Sequence, residues 1–211
     1  KRREGGAELV FTPNANNTFT LGAQAAKQVT TTTPGKSIPV SYVDGRGRVV
    51  FNTGSEYEYT KNIYTLTHEG KYGDLWTNTY LQHDVSEKVQ DLKKEEKVTV
   101  FNTQANYLLG GRHMLTFGGQ YKFEDYTNET NGFISAGVPG AVSNVDRWIG
   151  ALFAEAEWAL HEDFTLTTGL RYNRDELFGG HLSPRVYGVY HYSPTLTFKG
   201  GVSTGYMQPS L

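Results

Sequence analysis

From Leu115 to Glu124 apolar and polar residues take turns along the chain. Leu115, Phe117, Gly119, Tyr121 and Phe123 occupy odd positions, and Thr116, Gly118, Gln120, Lys122 and Glu124 even ones. A period of two sends the two sets to opposite faces of a β-strand, whereas a helix would mix them. The pattern returns at 164–173, with Phe164, Leu166, Thr168, Leu170 and Tyr172 opposite Thr165, Thr167, Gly169, Arg171 and Asn173. It returns again where Leu196, Phe198, Gly200, Val202 and Tyr206 oppose Thr195, Thr197, Lys199 and Ser203. A chain built this way forms sheet with one apolar and one wet face. Alternation alone does not separate a half-buried soluble sheet from a membrane wall.

The connections sharpen the choice. Extended segments are expected at 5–11, 18–29, 56–69, 74–89, 97–109, 113–126, 147–160, 164–176, 184–192 and 195–207, with very little helix. Odd connections are short: Thr12–Asn17, Gly70–Gly73, Gly110–Arg112, His161–Asp163 and Ser193–Pro194. Even ones are longer or heavily charged: Thr30–Ser55, Gln90–Glu96, Thr127–Asp146 and Leu177–Ser183. A sandwich or propeller has no reason to sort loops by parity. A transmembrane antiparallel β-barrel of the bacterial outer membrane does, with short turns inside the cell envelope and long loops outside. The expected fold class is therefore all-β, either an arc of about ten strands within a larger barrel or a smaller closed barrel.

Composition removes several function classes. The 211 residues contain no run of about 18 apolar residues, so no transmembrane helix is expected. Aromatic residues make up 13%, with 14 Tyr, and there are 24 Gly and no Cys, which excludes disulfide scaffolds and thiol chemistry. A net charge of −2 argues against a nucleic-acid partner. The six histidines show no metal-binding spacing, and neither a GxSxG elbow nor a Walker loop is present, so no catalytic or metal site is assigned. Gly45-Arg46-Gly47-Arg48 is too short for a phosphate cradle and reads as loop. Lys1-Arg2-Arg3 is not followed by an apolar stretch, and the sequence reads as an internal piece of a longer protein.

Trp148 and Trp158 fall ten residues apart on one face, with Leu152, Ala154 and Ala156 between them. At a rise of about 3.3 Å per residue and a tilt of about 40° they stand roughly 25 Å apart along a barrel axis. That is the height of a lipid-facing band edged by aromatic girdles. Pairing Leu160 with Phe164 sets Trp158 against Leu166 and Glu155 against Gly169. Glu155, Glu157 and Arg171 then face a watery lumen, either solvated or touching a plug or a passing ligand. The long connections carry the candidate ligand contacts: Tyr42, Arg46 and Arg48 in the first, Phe133 in the third, and Arg174 and Asp175 at the fourth. Aromatic rings with arginines suit a planar anionic ligand.

The last third adds a resemblance. Gly169-Leu170-Arg171-Tyr172-Asn173, Leu182-Ser183-Pro184-Arg185 and Tyr192-Ser193-Pro194 follow in order. Leu196-Thr197-Phe198-Lys199-Gly200-Gly201-Val202-Ser203-Thr204-Gly205-Tyr206-Met207-Gln208-Pro209-Ser210-Leu211 completes the set. Together they resemble the TonB-dependent outer-membrane receptors, within them the catecholate-siderophore receptors that colicins exploit. The resemblance implies a 22-stranded barrel with an N-terminal plug, outer-membrane lipid around it, and ferric siderophore and colicin docking at the outer mouth. It implies energy passed through TonB by an N-terminal region outside these residues. No resident cofactor is expected, iron arriving only as ferric siderophore cargo. Arg174 is the preferred contact. A passive porin-like barrel is the alternative, and a barrel enzyme a third reading.

Overall fold

The structure is a computed structural model and describes residues 1–90, 92–129 and 143–206. Ten strands form one antiparallel sheet: β1 (Arg2–Asn14), β2 (Asn17–Thr32), β5 (Ser55–Tyr72), β6 (Leu75–Val89), β7 (Lys93–Leu109), β8 (His113–Asn128), β9 (Asn144–His161), β10 (Phe164–Asp175), β11 (Gly179–Ser193) and β12 (Leu196–Ser203). A separate two-stranded hairpin, β3 (Ser41–Val43) and β4 (Val49–Phe51), rises from the connection between β2 and β5. Apart from that excursion, every strand pairs with its sequence neighbour. No helix occurs among the described residues. Strands of up to 18 residues exceed the 9–11 that cross a bilayer, so one end of the wall stands clear of it.

The sheet has one layer and almost no conventional core. Among the described residues Ala151 is the one buried hydrophobic side chain. The two faces nonetheless differ in exposure, because side chains outside a bend splay while those inside crowd each other. The ladder sets Leu9, Leu21, Leu66, Leu81, Phe101 and Tyr121 side by side on one face, and all are exposed. Leu152 on that face is 68% exposed. The opposite face carries the buried Arg147 and Asp175 and most of the half-buried polar groups. The apolar face is thus the outward, lipid-facing one, and the polar face lines the lumen.

The outward face is itself asymmetric. Its charged residues, Arg3, Lys27, Glu56, Glu58, Glu87, Lys93, Glu95, Lys97, Asp125, Asp146 and Arg174, lie only toward the long-loop end. Lys27 pairs with Glu58 at 2.6 Å, and Lys93 bridges Glu87 and Glu95 at 2.8 and 2.6 Å. The short-turn end of the same face carries Phe19, Tyr72, Tyr107, Trp158, Phe164, Tyr190 and Phe198 in place of charge.

Turn lengths both support and correct the sequence reading. Connections at the inner end are two or three residues, from 15–16 to 194–195. At the outer end two connections are long, 33–54 and 129–143. The other two, 90–92 and 176–178, are as tight as the inner turns. The expected loops Gln90–Glu96 and Leu177–Ser183 are mostly strand, because the ladder runs on to Val89↔Lys93 and Asp175↔Gly179. The expected pairing of Leu160 with Phe164 is replaced by His161↔Phe164 across a register shift, beyond which Trp158↔Leu166 and Glu155↔Gly169 stand as expected.

Candidate functional site

Trp148 and Trp158 both fall on the outward face. The Trp148 ring stacks against Tyr121 with centroids 6.2 Å apart, and its backbone amide donates to Glu176 Oε2 at 3.1 Å. Trp158 lies 5.6 Å from His113 and donates its indole N–H to Thr168 Oγ1 at 3.0 Å. Trp158 thus turns an apolar body outward with its indole N–H satisfied, the arrangement of an interfacial aromatic, while the Trp148 ring is held by stacking on Tyr121.

Glu155, Glu157 and Arg171 share the lumenal face. Glu155 pairs with Arg185 of β11 at 3.3 Å rather than with Arg171. Two glycines make the local geometry possible. Gly169 sits opposite Glu155, and a Cβ there would stand 3.2 Å from Glu155 Oε2. The Phe153 ring crosses Gly118 of β8, where a Cβ would meet its Cζ at 2.7 Å. Phe153 in turn carries the Arg171 guanidinium at 5.7 Å from its centroid. Arg171 donates Nε to Asn173 Oδ1 at 2.9 Å and Nη2 to Gln120 Oε1 at 3.3 Å.

Toward the outer end of the same face lies a buried charge cluster that the sequence reading missed. Arg147 of β9 and Asp175 of β10 are 2% and 1% exposed. Arg147 Nη2 binds Glu124 Oε2 of β8 at 2.6 Å, and its Nη1 stands 3.9 Å from Asp175 Oδ2. Lys122 joins Glu124 at 2.5 Å. Asp175 Oδ1 accepts the Leu177 and Phe178 amides at 2.8 and 3.2 Å, closing the turn. Counting by twos from Arg171 and Glu155 assigns Asp175 and Arg147 to the lumen. Their mutual proximity depends on cross-strand register.

The candidate contacts at the outer loops separate into three groups. Tyr42, Arg46 and Arg48 share the β3–β4 hairpin, whose Val43, Val49 and Phe51 are also exposed. Asp44 organises its turn, accepting the Arg46 and Arg48 amides at 2.9 Å each and the Arg48 Nε–H at 2.9 Å. These donors, the Arg48 amide foremost, hold the Asp44 carboxyl below the usual carboxylate range. Arg48 is thereby engaged, whereas Arg46 has no side-chain hydrogen bond or ion pair among the described residues. Arg174 and Asp175 point to opposite faces. Arg174 lies outward and exposed between Gly150 and Gly180, and Asp175 is enclosed. Phe133 lies outside the described residues.

Comparisons with known proteins agree with this wall. A family model described as "TonB dependent receptor-like, beta-barrel" matches residues 4–211. The chain is 35% identical over 209 residues to the iron-regulated outer membrane virulence protein of Vibrio cholerae, covering 97% of this chain and 30% of that protein. The chain thus spans under a third of the curated relative's length. Among solved structures it resembles the siderophore receptor PirA of Acinetobacter baumannii, with a TM-score of 0.77 at 17% identity, covering 99% of this chain and 34% of that one. It also resembles a mutant of the ferric enterobactin receptor PfeA of Pseudomonas aeruginosa in complex with enterobactin, with a TM-score of 0.75, the same identity and the same coverage. At that identity the likeness shows a shared fold.

Proposed function

Because the chain belongs to the TonB-dependent receptor-like β-barrel family and so to the outer membrane, we propose that it forms part of the wall of a receptor importing ferric catecholate siderophores. The observation that carries this reading is the two-faced wall itself. One face is aromatic-edged and apolar for lipid, and the other presents cations, carboxylates and amides to the barrel interior. A ferric catecholate complex is anionic and aromatic. The exposed Tyr42 and Arg46 of the β3–β4 hairpin offer a ring face and a guanidinium fork for it. Import against a gradient draws on TonB through an N-terminal region outside these residues, and colicins use the same outer loops.

The test is iron uptake by a receptor-deficient outer-membrane strain expressing the full-length polypeptide that carries this sequence. Uptake of labelled ferric enterobactin is expected, abolished by deleting TonB. Arg46→Ala is expected to weaken ferric enterobactin or colicin binding without changing heat-modifiable mobility in detergent. Uptake that persists without TonB favours a passive porin-like barrel.

A further inference from the structure

Asp44 and Gly45 adjoin at the tip of the β3–β4 hairpin. An Asp–Gly step is chemically weak, because no Cβ on the glycine shields its amide nitrogen from the neighbouring carboxyl carbon. Attack by that nitrogen on the protonated carboxyl forms an N–Cγ bond, expels one water and closes a five-membered succinimide. A second water then opens the ring at the former main-chain carbonyl, breaking the original C–N bond. The product is an isoaspartyl link of unchanged mass, with one extra carbon in the main chain.

The fold does not demand this glycine. Gly47 has a φ of +76°, which favours glycine, but Gly45 has no positive φ and a Cβ there would meet nothing within 4 Å. What the turn does is hold the carboxyl. Asp44 Oδ1 accepts the Arg46 and Arg48 amides, and Oδ2 accepts Arg48 Nε–H and faces Arg48 Nη2 at 2.8 Å. These donors favour the carboxylate, whose oxygen is a poor leaving group, over the acid that cyclises. Any rotation of the carboxyl carbon onto the Gly45 nitrogen has to break them. The main chain is held too, since the Asp44 amide donates to the Arg48 carbonyl and the Gly47 amide to the Asp44 carbonyl, each at 2.9 Å.

We propose that Asp44–Gly45 is a latent isoaspartyl-forming site, kept closed by Arg48 and by the two amides that hold the Asp44 carboxyl. Arg48 acts as a positioning residue, through Asp44. Once the site opens, the extra carbon spoils the spacing of both main-chain hydrogen bonds and the presentation of Arg46 and Arg48 beside them. The inference holds for any ligand of the hairpin, or none.

The test is tryptic mapping of the full-length polypeptide after prolonged warm incubation at neutral pH in detergent micelles. Fragment Ser37–Arg46 is released from the wild type and from every variant below, and its isoaspartyl form separates at the same mass. A synthetic Ser41–Phe51 peptide supplies the unfolded rate, because an isolated two-stranded hairpin is at best marginally stable. The wild type is expected to isomerise about tenfold more slowly than the peptide, the worth of a charge-assisted contact. Arg48→Ala should raise the rate about threefold, as suits a solvent-exposed partner, and Arg48→Lys should recover part of the protection. Gly45→Val should suppress the product. A wild-type rate equal to that of the peptide overturns the proposal, as does product that persists in Gly45→Val. A rate unchanged in Arg48→Ala overturns the role of Arg48. Gly47→Ala strains the turn at its positive φ and keeps every Arg48 donor. If it raises the rate as far as Arg48→Ala does, turn mobility is the cause and the held carboxyl is not.

Discussion

Asp44 and Asp175 do the same local work at two outer connections. Each carboxylate collects two backbone amides a few residues ahead and faces an arginine: Arg48 for Asp44, Arg147 for Asp175. Their surroundings differ. Asp44 shapes a solvent-exposed hairpin tip, while Asp175 is enclosed between β9, the β10–β11 turn and the lumenal face. In water such a carboxylate contributes local order and little stability, because solvent competes for every partner. Out of water the same groups become interdependent, since losing one strands the others. The hairpin can therefore change its residues freely, whereas the β10–β11 turn is tied to the wall that carries it.

The largest expected effect breaks the buried side of the comparison. Arg147→Met leaves Glu124 and Asp175 enclosed as like charges, and should lower the unfolding free energy in detergent by about 4 kcal/mol. A urea titration showing a loss below about 1 kcal/mol would put Arg147 in the same class as an exposed pair. Asp175→Asn keeps an oxygen for the Leu177 and Phe178 amides and removes the charge. It should cost about 1–2 kcal/mol while those amides stay protected from hydrogen exchange. Rapid exchange at both positions would show that the charge, rather than the oxygen, builds the turn.

On the exposed side, Asp44→Ala should leave the unfolding midpoint where it is. Amide exchange at Arg46 and Arg48 should rise severalfold; a shifted midpoint would mean the hairpin packs on the wall. The smallest effect is that of pH. Because the folded Asp44 pKa is lowered, its contribution is complete above the unfolded value of about 3.9 and fades as pH falls through the folded one. Acidification below about pH 4 should therefore loosen the β3–β4 turn, read as accelerated exchange corrected for intrinsic rate. A turn that loosens instead as pH rises would reverse the sign and remove Asp44 as its cause.

Sequence made the faces legible because side-chain parity is local. The alternation at 115–124 and 164–173 sets Leu, Phe and Tyr on one face and Gln120 and Arg171 on the other, and the Trp148–Trp158 face with the next hairpin's pairing puts Glu155 and Glu157 on the side of Arg171. It also implied the Glu155↔Gly169 register once the turn was located. What it hid was non-local or masked by composition. Gly179-Gly180-His181 looks like loop but is strand, since the β10 ladder supplies its partners and the Tyr172 ring fills the space beside Gly180. The β3–β4 hairpin lay inside a connection read as structureless, although Asp-Gly-Arg-Gly flanked by valines is a turn signal. Counting by twos from Leu170 also places Arg174 outward, a step the choice of Arg174 as preferred contact passed over. The Glu124–Arg147–Asp175 cluster joins three strands and emerges only with their relative stagger.

The one-sided distribution of charge on the outward face has a kinetic consequence. The charged rim must cross the hydrocarbon once while the wall is being inserted. Afterwards each Lys or Arg drawn back to mid-bilayer would cost about 2–4 kcal/mol. Inward slippage is thus opposed by several charges acting in parallel, and outward slippage by the aromatic row at the other end. The wall is easier to seat than to unseat, and a detent that holds its depth is cut into its own sequence.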